Sequence, residues 1–153
     1  MSAGAFAERV AIVTGGTRGI GAAITSRLVA EGAHVAAVYA GNHDAAHALA
    51  KSLADGPGSV TLHVADIGNA GACQAVVADV LAAQGRIDHL VNNAGLLIEN
   101  SPRKMTLDEW DRSISVNLSA SFYFAQAVLE PMIAQGFGPV SYTHLTLPTK
   151  RIV

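Results

Sequence analysis

The sequence predicts an α/β fold with a doubly wound parallel sheet, and three observations support this. Short apolar runs of strand length alternate with segments of helical spacing, beginning with VAIVTG at 10–15. The runs at 34–40, 60–65 and 87–95 are nearly continuous in apolar residues, as in strands that helices cover on both faces. Right-handed crossovers between such strands produce a doubly wound sheet. We expect this sheet to be truncated after four strands.

The segments between the strands show helical periodicity. Ile20, Ile24 and Leu28 share one helix face, and Gly32 ends that helix in the manner of a C-terminal cap. A longer helical region follows the fourth strand and opens with TLDE at 106–109, the pattern of a capping box. We expect its apolar stripe to form core or a subunit interface; the stripe comprises Trp110, Ile114, Leu118, Phe122, Ala125, Leu129 and Met132.

Composition excludes several classes of protein. The chain has 153 residues, of which 50% are hydrophobic and 14% charged, so we expect one globular domain with a substantial core. With a net charge of −2 and no basic run, a nucleic-acid partner is not expected. The start lacks the layout of a signal peptide, and no apolar stretch approaches the length of a membrane span. We predict a cytoplasmic protein with no membrane partner, in which the single cysteine, Cys73, is a small buried hydrophobic residue.

The segment TGGTRGIG, residues 14–21, follows the first strand directly and opens a helix. Glycine is needed where the chain turns tightly and where the backbone must approach a pyrophosphate without a Cβ in the way. The amino end of the helix then offers free N–H groups and a positive dipole end to the phosphates. Because these glycines lie between a strand and a helix, the segment predicts a dinucleotide site rather than a plain turn.

Four ordered motifs resemble the short-chain dehydrogenase/reductase family. They are the glycine loop from Thr14 to Gly21 with the spacing Gly-x-x-x-Gly-x-Gly, Asp66 at the end of strand three, NNAG at 92–95, and VNL at 116–118. Within this family, YAGN and RKMTLDEWD, at 39–42 and 103–111, resemble 3-oxoacyl-acyl-carrier-protein reductases and acetoacetyl-CoA reductases. The resemblance implies a Rossmann-like NADP-binding domain over residues 1–138.

The resemblance also implies roles for individual residues. Asn117 stands where the family has its catalytic asparagine, which supports a proton relay, and Asp66 where the family contacts the adenine. The implied cofactor-binding residues are Gly15, Thr17, Arg18, Gly19, Ile20, Gly21, Tyr39, Asp66, Ile67, Asn93, Ala94 and Gly95. The implied activity is NADP-dependent reduction of a 3-oxoacyl thioester or similar ketone by a homo-oligomeric enzyme. The alternative is a dinucleotide-binding module without catalysis.

The end of strand two indicates which nicotinamide cofactor is bound. An acidic residue there would hold the ribose 2′-hydroxyl of NAD and repel the 2′-phosphate of NADP. This strand ends Val38-Tyr39-Ala40 without a carboxylate, and Asp44 lies downstream as a helix-start residue. Arg18 in the glycine loop could pair with a 2′-phosphate. Both features predict NADP.

The segment HDAAH resembles a zinc-binding helix, with His43 and His47 one turn apart. It has Asp44 where that motif has glutamate, and the sequence offers no evident third ligand. We expect a solvated helix face and no metal.

The last residues, 139–153, do not resemble the family. In the family, a serine on the fifth strand precedes a Tyr-x-x-x-Lys helix, in which the lysine lowers the pKa of the tyrosine phenol for proton transfer. Here Tyr142 and Lys150 are eight positions apart with Pro148 between them, and the chain contains no Tyr-x-x-x-Lys. We expect this pair to be accidental and the tail to be a foreign end on an inactive N-terminal fragment. An insertion is the alternative, because RIV at 151–153 resembles the opening of the family's fifth strand.

Overall fold

The computed structural model describes residues 4–143 and contains a five-stranded sheet in the order β3-β2-β1-β4-β5. All four strand pairings are parallel, which confirms the predicted doubly wound α/β fold. Lys150, Pro148 and the rest of the predicted tail beyond residue 143 lie outside the described residues. The strands are β1 Val10–Thr14, β2 His34–Tyr39, β3 Ser59–Val64, β4 His89–Asn92 and β5 Val140–Tyr142.

Helices connect the strands and cover both faces of the sheet: α1 Gly19–Ala30, α2 His43–Ser52, α3 Ala70–Gln84, α4 Leu107–Ile114 and α5 Ala120–Ala134. The predicted long helix after β4 is divided, because a π-helical segment, Ser115–Ser119, joins α4 to α5. The predicted capping box is present at the start of α4. Thr106 Oγ1 accepts from the amide of Glu109 at 3.2 Å, and the Thr106 amide donates to the Glu109 carboxylate at 2.8 Å.

The sheet separates two hydrophobic cores. On one face, Val10 and Ile12 of β1 pack with residues of α3 and α5. On the other face, Ala11 and Val13 pack against Leu28 and its neighbours on α1. This alternation follows from the two-residue period of a strand, and it explains why β1 reads as a continuous apolar run.

The structure places Cys73 and Ile20 in very different surroundings. Cys73 is fully buried on α3 and its thiol donates to the Ile67 carbonyl at 3.2 Å, so the prediction of a buried cysteine is confirmed. Burial raises the pKa of the Cys73 thiol to about 11. Ile20, which shares a helix face with Ile24 and Leu28 in the sequence, is 69% exposed at the start of α1 and lines the cavity described below. Across residues 4–143, the helices are either too short or too polar to cross a bilayer.

The expected truncation after four strands is wrong. Residues 140–142 form β5, which pairs in parallel with β4 in the register Leu90–Val140, Val91–Ser141 and Asn92–Tyr142. The Leu90 amide also donates to the Pro139 carbonyl at 3.2 Å, immediately before the strand. An existing parallel edge offers a complete row of backbone partners, so three extended residues suffice to add a strand without an apolar run of their own.

The apolar stripe predicted on the long helix lies mostly on the outer surface. Leu118, Phe122 and Leu129 are each more than half exposed, and so is Trp110 on α4. Met132 is the buried exception. The face of α5 that contacts the sheet carries a second row of residues four apart, Ala120, Phe124, Val128 and Met132. Of the two roles predicted for the stripe, core is therefore excluded for its exposed members.

Candidate functional site

A cavity of about 560 Å³ opens at the carboxyl ends of the strands, where β1 and its neighbours pass into their following loops. Crevices at this edge of doubly wound sheets are the general location of ligand sites. The structure brings all the predicted cofactor-binding residues to the wall of this cavity: Gly15, Thr17, Arg18, Gly19, Ile20, Gly21, Tyr39, Asp66, Ile67, Asn93, Ala94 and Gly95.

The loop between β1 and α1 is fixed by the segment that follows β4. The Thr14 hydroxyl accepts from the amides of Asn93 and Ala94, each at 3.0 Å. In return, the Asn93 side-chain amide donates to the carbonyls of Thr14 at 2.9 Å and Gly15 at 3.2 Å. The glycine loop and the NNAG segment of the sequence analysis are therefore two halves of one hydrogen-bonded unit.

Three of the four glycines in this loop meet demands that favour a residue without a Cβ. A Cβ at Gly21 would lie 2.0 Å from the Gly15 carbonyl oxygen, so only glycine permits the helix to start so close to the loop. Gly15 and Gly19 have φ values of 63° and 51°, in the left-handed region that favours glycine. A Cβ at Gly19 would meet nothing within 4 Å, which leaves its position on the cavity wall open to a ligand.

The amino end of α1 is available to an anion. Arg18 occupies the N-cap position but makes no side-chain capping hydrogen bond, and the first turn contains no acidic residue. The backbone N–H groups of this first turn and the positive end of the α1 dipole are therefore directed to the cavity, and no carboxylate in that turn competes for them. This arrangement suits the binding of a phosphate group.

The end of β2 forms another part of the cavity wall, from Val38 to Asn42, and this part contains no carboxylate. The Tyr39 hydroxyl lies 3.1 Å from His43 Nδ1, and their rings meet edge to face. Asn42 caps α2, and Asp44 lies in the first turn of that helix, as predicted for a helix-start residue. Among residues 4–143, no group of histidine, cysteine or acidic side chains could hold a metal ion.

At the end of β3, Asp66 lies beside Arg112, which the sequence analysis missed. Arg112 Nη1 donates to both carboxylate oxygens, at 2.7 and 2.9 Å, and the Gly68 amide donates to Oδ1 at 3.0 Å. These hydrogen bonds, chiefly that from Arg112, lower the pKa of Asp66 below its usual value. Arg112 arrives from α4, far away in sequence, so only tertiary structure reveals the pair.

Asn117 lies in the π-helical segment and holds the loop that follows β4. Its Oδ1 accepts from the Leu96 amide at 2.7 Å, and its Nδ2 donates to the Leu96 carbonyl at 2.8 Å and to Ser113 Oγ at 3.2 Å. It is not part of the cavity wall, although Leu96 and the adjacent Val116 are. π-Helical turns within α-helices occur frequently at functional sites.

Comparison with known proteins identifies the family. The family model described as short chain dehydrogenase matches residues 9–142, which includes the first residues of the predicted tail. The chain belongs to the short-chain dehydrogenase family.

Curated members of this family match most of the chain. Acetoacetyl-CoA reductase of Shinella zoogloeoides is 42% identical over 133 residues, which are 87% of this chain and 53% of that protein. The 3-oxoacyl-acyl-carrier-protein reductase FabG of Staphylococcus aureus strain Mu50 is 36% identical over 131 residues, 85% of this chain and 53% of that protein. The chain therefore spans about half the length of the curated relatives it matches.

Solved structures of short-chain dehydrogenases have the same fold. A metagenomic short-chain oxidoreductase in complex with NADP superposes with a TM-score of 0.84 at 36% identity, over 90% of this chain and 62% of that one. A short-chain dehydrogenase of Burkholderia cenocepacia J2315 in complex with NADP has a TM-score of 0.79 at 36% identity, over 82% of this chain and 51% of that one.

Proposed function

We propose that this chain binds NADP(H) in the cavity at the carboxyl ends of its strands. The glycine loop carries the proposal. Gly21 allows the helix to begin against the loop, Gly19 leaves its place on the wall open, and the first turn of α1 presents uncapped amides. A pyrophosphate is the ligand that this combination favours. The NADP complexes of the short-chain dehydrogenases with similar structures support the same assignment.

The preference for NADP over NAD rests on charge. The wall at the end of β2 contains no carboxylate that could hold a ribose 2′-hydroxyl or repel a phosphate, and Arg18 lies exposed on the same cavity. A guanidinium at this place can pair with a 2′-phosphate through two hydrogen bonds.

Calorimetric titration with NADPH and NADH tests both parts of the proposal. We expect tighter binding of NADPH, and a loss of roughly tenfold for NADPH alone in Arg18→Ala, because a charge-assisted contact to the phosphate is removed. Gly19→Val should abolish binding of both cofactors, since a branched side chain would occupy the open position on the wall. Unchanged affinity in folded Gly19→Val would reduce the loop to a turn, and equal affinity for NADH would refute the NADP preference.

For the protein of the relatives' length, we propose reduction of a 3-oxoacyl thioester or a similar ketone by NADPH. The relatives named above as acetoacetyl-CoA and 3-oxoacyl-acyl-carrier-protein reductases support this substrate class. In that protein Asn117 would contribute to proton transfer from its place beside the loop at Leu96. We also propose that it is a homo-oligomer, with the exposed apolar residues of α5 at the interface.

A dinucleotide-binding module without catalysis is the second candidate. One observation favours it: the chain contains no Tyr-x-x-x-Lys, the pair that the family uses to protonate the carbonyl. Reading the source gene beyond codon 138 separates the two candidates. A continuous reading frame with a serine strand and a Tyr-x-x-x-Lys helix supports the reductase, and its absence supports the module.

A further inference from the structure

Thr143, directly after β5, connects the edge of the sheet to the segment that fixes the glycine loop. Its amide donates to the Asn92 carbonyl at 3.1 Å, which continues the pairing of β5 with β4 by one residue. Its hydroxyl donates to Asn93 Oδ1 at 3.3 Å and lies 3.5 Å from the Asn92 carbonyl oxygen. Thr143 itself does not lie on the cavity wall. Any influence of this residue on a bound ligand must therefore pass through Asn93.

The Asn93 side chain extends this contact to the glycine loop. Its Nδ2 donates to the carbonyls of Thr14 at 2.9 Å and Gly15 at 3.2 Å, which uses both hydrogens of the amide. A Cβ on Gly21 would lie 2.5 Å from the same nitrogen, and a Cβ on Gly15 would lie 3.0 Å from it. The loop therefore surrounds the Asn93 amide closely, and a shift of this amide would move the loop as well.

The Asn93 amide is thus held from two sides. The loop carbonyls hold its nitrogen, and the Thr143 hydroxyl holds its part-buried oxygen. A net hydrogen bond changes an equilibrium by about twofold to tenfold. The contact from Thr143 is longer than the usual hydroxyl hydrogen bond of about 2.8 Å, so we expect an effect near the lower end of that range.

We propose that Thr143 is a positioning residue for the glycine loop and acts through Asn93. Its hydroxyl holds the Asn93 amide, and the amide holds the loop in the shape that receives a pyrophosphate. The residue after β5 thus contributes to nucleotide affinity without touching the nucleotide. Because NADPH and NADH share the pyrophosphate, the contribution is the same for both cofactors. This inference rests on the proposed binding of NADP(H).

The test measures the calorimetric affinities of NADPH and NADH in Thr143→Val, which replaces the hydroxyl by a methyl group of similar size. We expect both dissociation constants to rise about threefold while their ratio stays unchanged. Thr143→Ser retains the hydroxyl and should restore the wild-type affinities. A residue that only supports the fold would instead lower the urea midpoint of Thr143→Val and leave the affinities of the folded protein unchanged.

Two further variants complete the design. Thr61 lies on β3, the opposite edge strand of the sheet, and its hydroxyl is 3.1 Å from His63 Nε2. Thr61→Val therefore removes a hydroxyl contact by the same substitution, and it should leave both dissociation constants at the wild-type values. Thr143→Ala removes the Thr143 hydroxyl without placing a methyl group where the oxygen was, and it replaces Thr143→Val if that variant fails to fold.

Each outcome has a defined meaning. If wild type binds NADPH, and the variant without the hydroxyl weakens both cofactors equally while Thr143→Ser does not, the inference is supported. If wild type binds NADPH but the folded variant without the hydroxyl keeps the wild-type affinities, the inference is overturned and the proposed function stands. A loss for NADPH alone, or a loss that Thr143→Ser shares, also overturns it. If wild type binds no NADPH, the proposed function fails and the inference fails with it.

Discussion

Asp88 shows how one buried carboxylate can join distant parts of the chain. Its side chain is fully buried at the amino-terminal edge of the sheet, where it accepts from Arg9 at 2.7 Å, Arg86 Nε at 2.8 Å and the Val10 amide at 2.9 Å. Burial alone would raise its pKa, but these donors outweigh burial and lower the pKa to about 2. The Arg9 guanidinium also lies 4.6 Å from the centre of the Phe137 ring, so the cluster extends to the loop before β5.

Asp88→Asn should therefore destabilise the fold in a pH-dependent way. A carboxyl whose pKa is lower in the folded state stabilises the fold above the unfolded value, about 3.9, and loses this contribution as pH falls toward 2. At pH 7 we expect the variant to lose about 2 kcal/mol of unfolding free energy, and the difference from wild type should shrink between about pH 4 and pH 2. Urea denaturation across this range measures it. Asp55→Asn, at an exposed position, is the control and should change stability by less than about 0.5 kcal/mol; equal losses in the two variants would contradict the assignment.

At the same scale, the sequence predicted the backbone-determined part of the site better than its side-chain pairs. The places of Gly15, Gly19 and Gly21 on the cavity wall follow from local chain geometry, which a strand–glycine–helix pattern records directly. The contact between Asp66 and Arg112 depends on how α4 docks near the end of β3, and no local pattern carries that information. The roles of these residues in binding stay predictions.

Helix α5 carries apolar residues on opposite sides, and periodicity alone could not decide which side meets the sheet. Phe124 and Val128 are buried, whereas Phe122, Leu129 and Ile133 are more than half exposed. Both rows have helical spacing, so α5 is apolar on more than one side. The periodicity of such a helix indicates no preferred face. The sequence thus predicted the helix and left core and interface open for its stripe. The three-residue β5 escaped prediction for a different reason, since its pairing partner rather than its own composition makes it a strand.

The exposed side of α5 should mediate self-association. We expect the chain to sediment as an oligomer at micromolar concentration, because a row of large apolar side chains on one helix favours burial against a second copy. The double variant Phe122→Glu with Leu129→Glu should weaken this association at least tenfold by placing charges in the contact. Gln74→Glu, at an exposed position on α3 rather than on α5, adds one charge outside this row as a control. A wild-type chain that stays monomeric throughout, or a double variant that associates like wild type, would count against the interface.

At the scale of the whole molecule, cofactor binding and catalysis should be separable. We expect the chain as given to bind NADPH but to oxidise none of it with acetoacetyl-CoA, because it has no Tyr-x-x-x-Lys to donate a proton to the carbonyl. Absorbance of NADPH during incubation with the thioester measures this. A version continued beyond residue 138 by the genomic sequence is the positive control. Turnover by the given chain that disappears in Tyr142→Phe would show that the tail is an active site after all.

The whole fold was predicted correctly in class and incorrectly in strand number. Alternating apolar runs and helical segments suffice to identify a doubly wound parallel sheet, since few other arrangements bury them. The strand β5 covers the edge of β4 that a four-stranded sheet would leave open, and the family match continues to residue 142. The expectation that residues from 139 onward are foreign relied on their lack of resemblance to the family. Residues 144–153, to which it also applies, lie outside the described part of the chain.

The cavity has a consequence for how such genes can recombine. Within residues 4–143, the wall of this cavity extends from Gly15 to Val116. A crossover downstream of codon 116 would therefore transmit these wall residues as one block, whatever coding sequence it acquired. Descendants of such an exchange could differ in the compounds they transform and still inherit the same wall for the proposed nucleotide. Their cofactor would then change less often than their substrate.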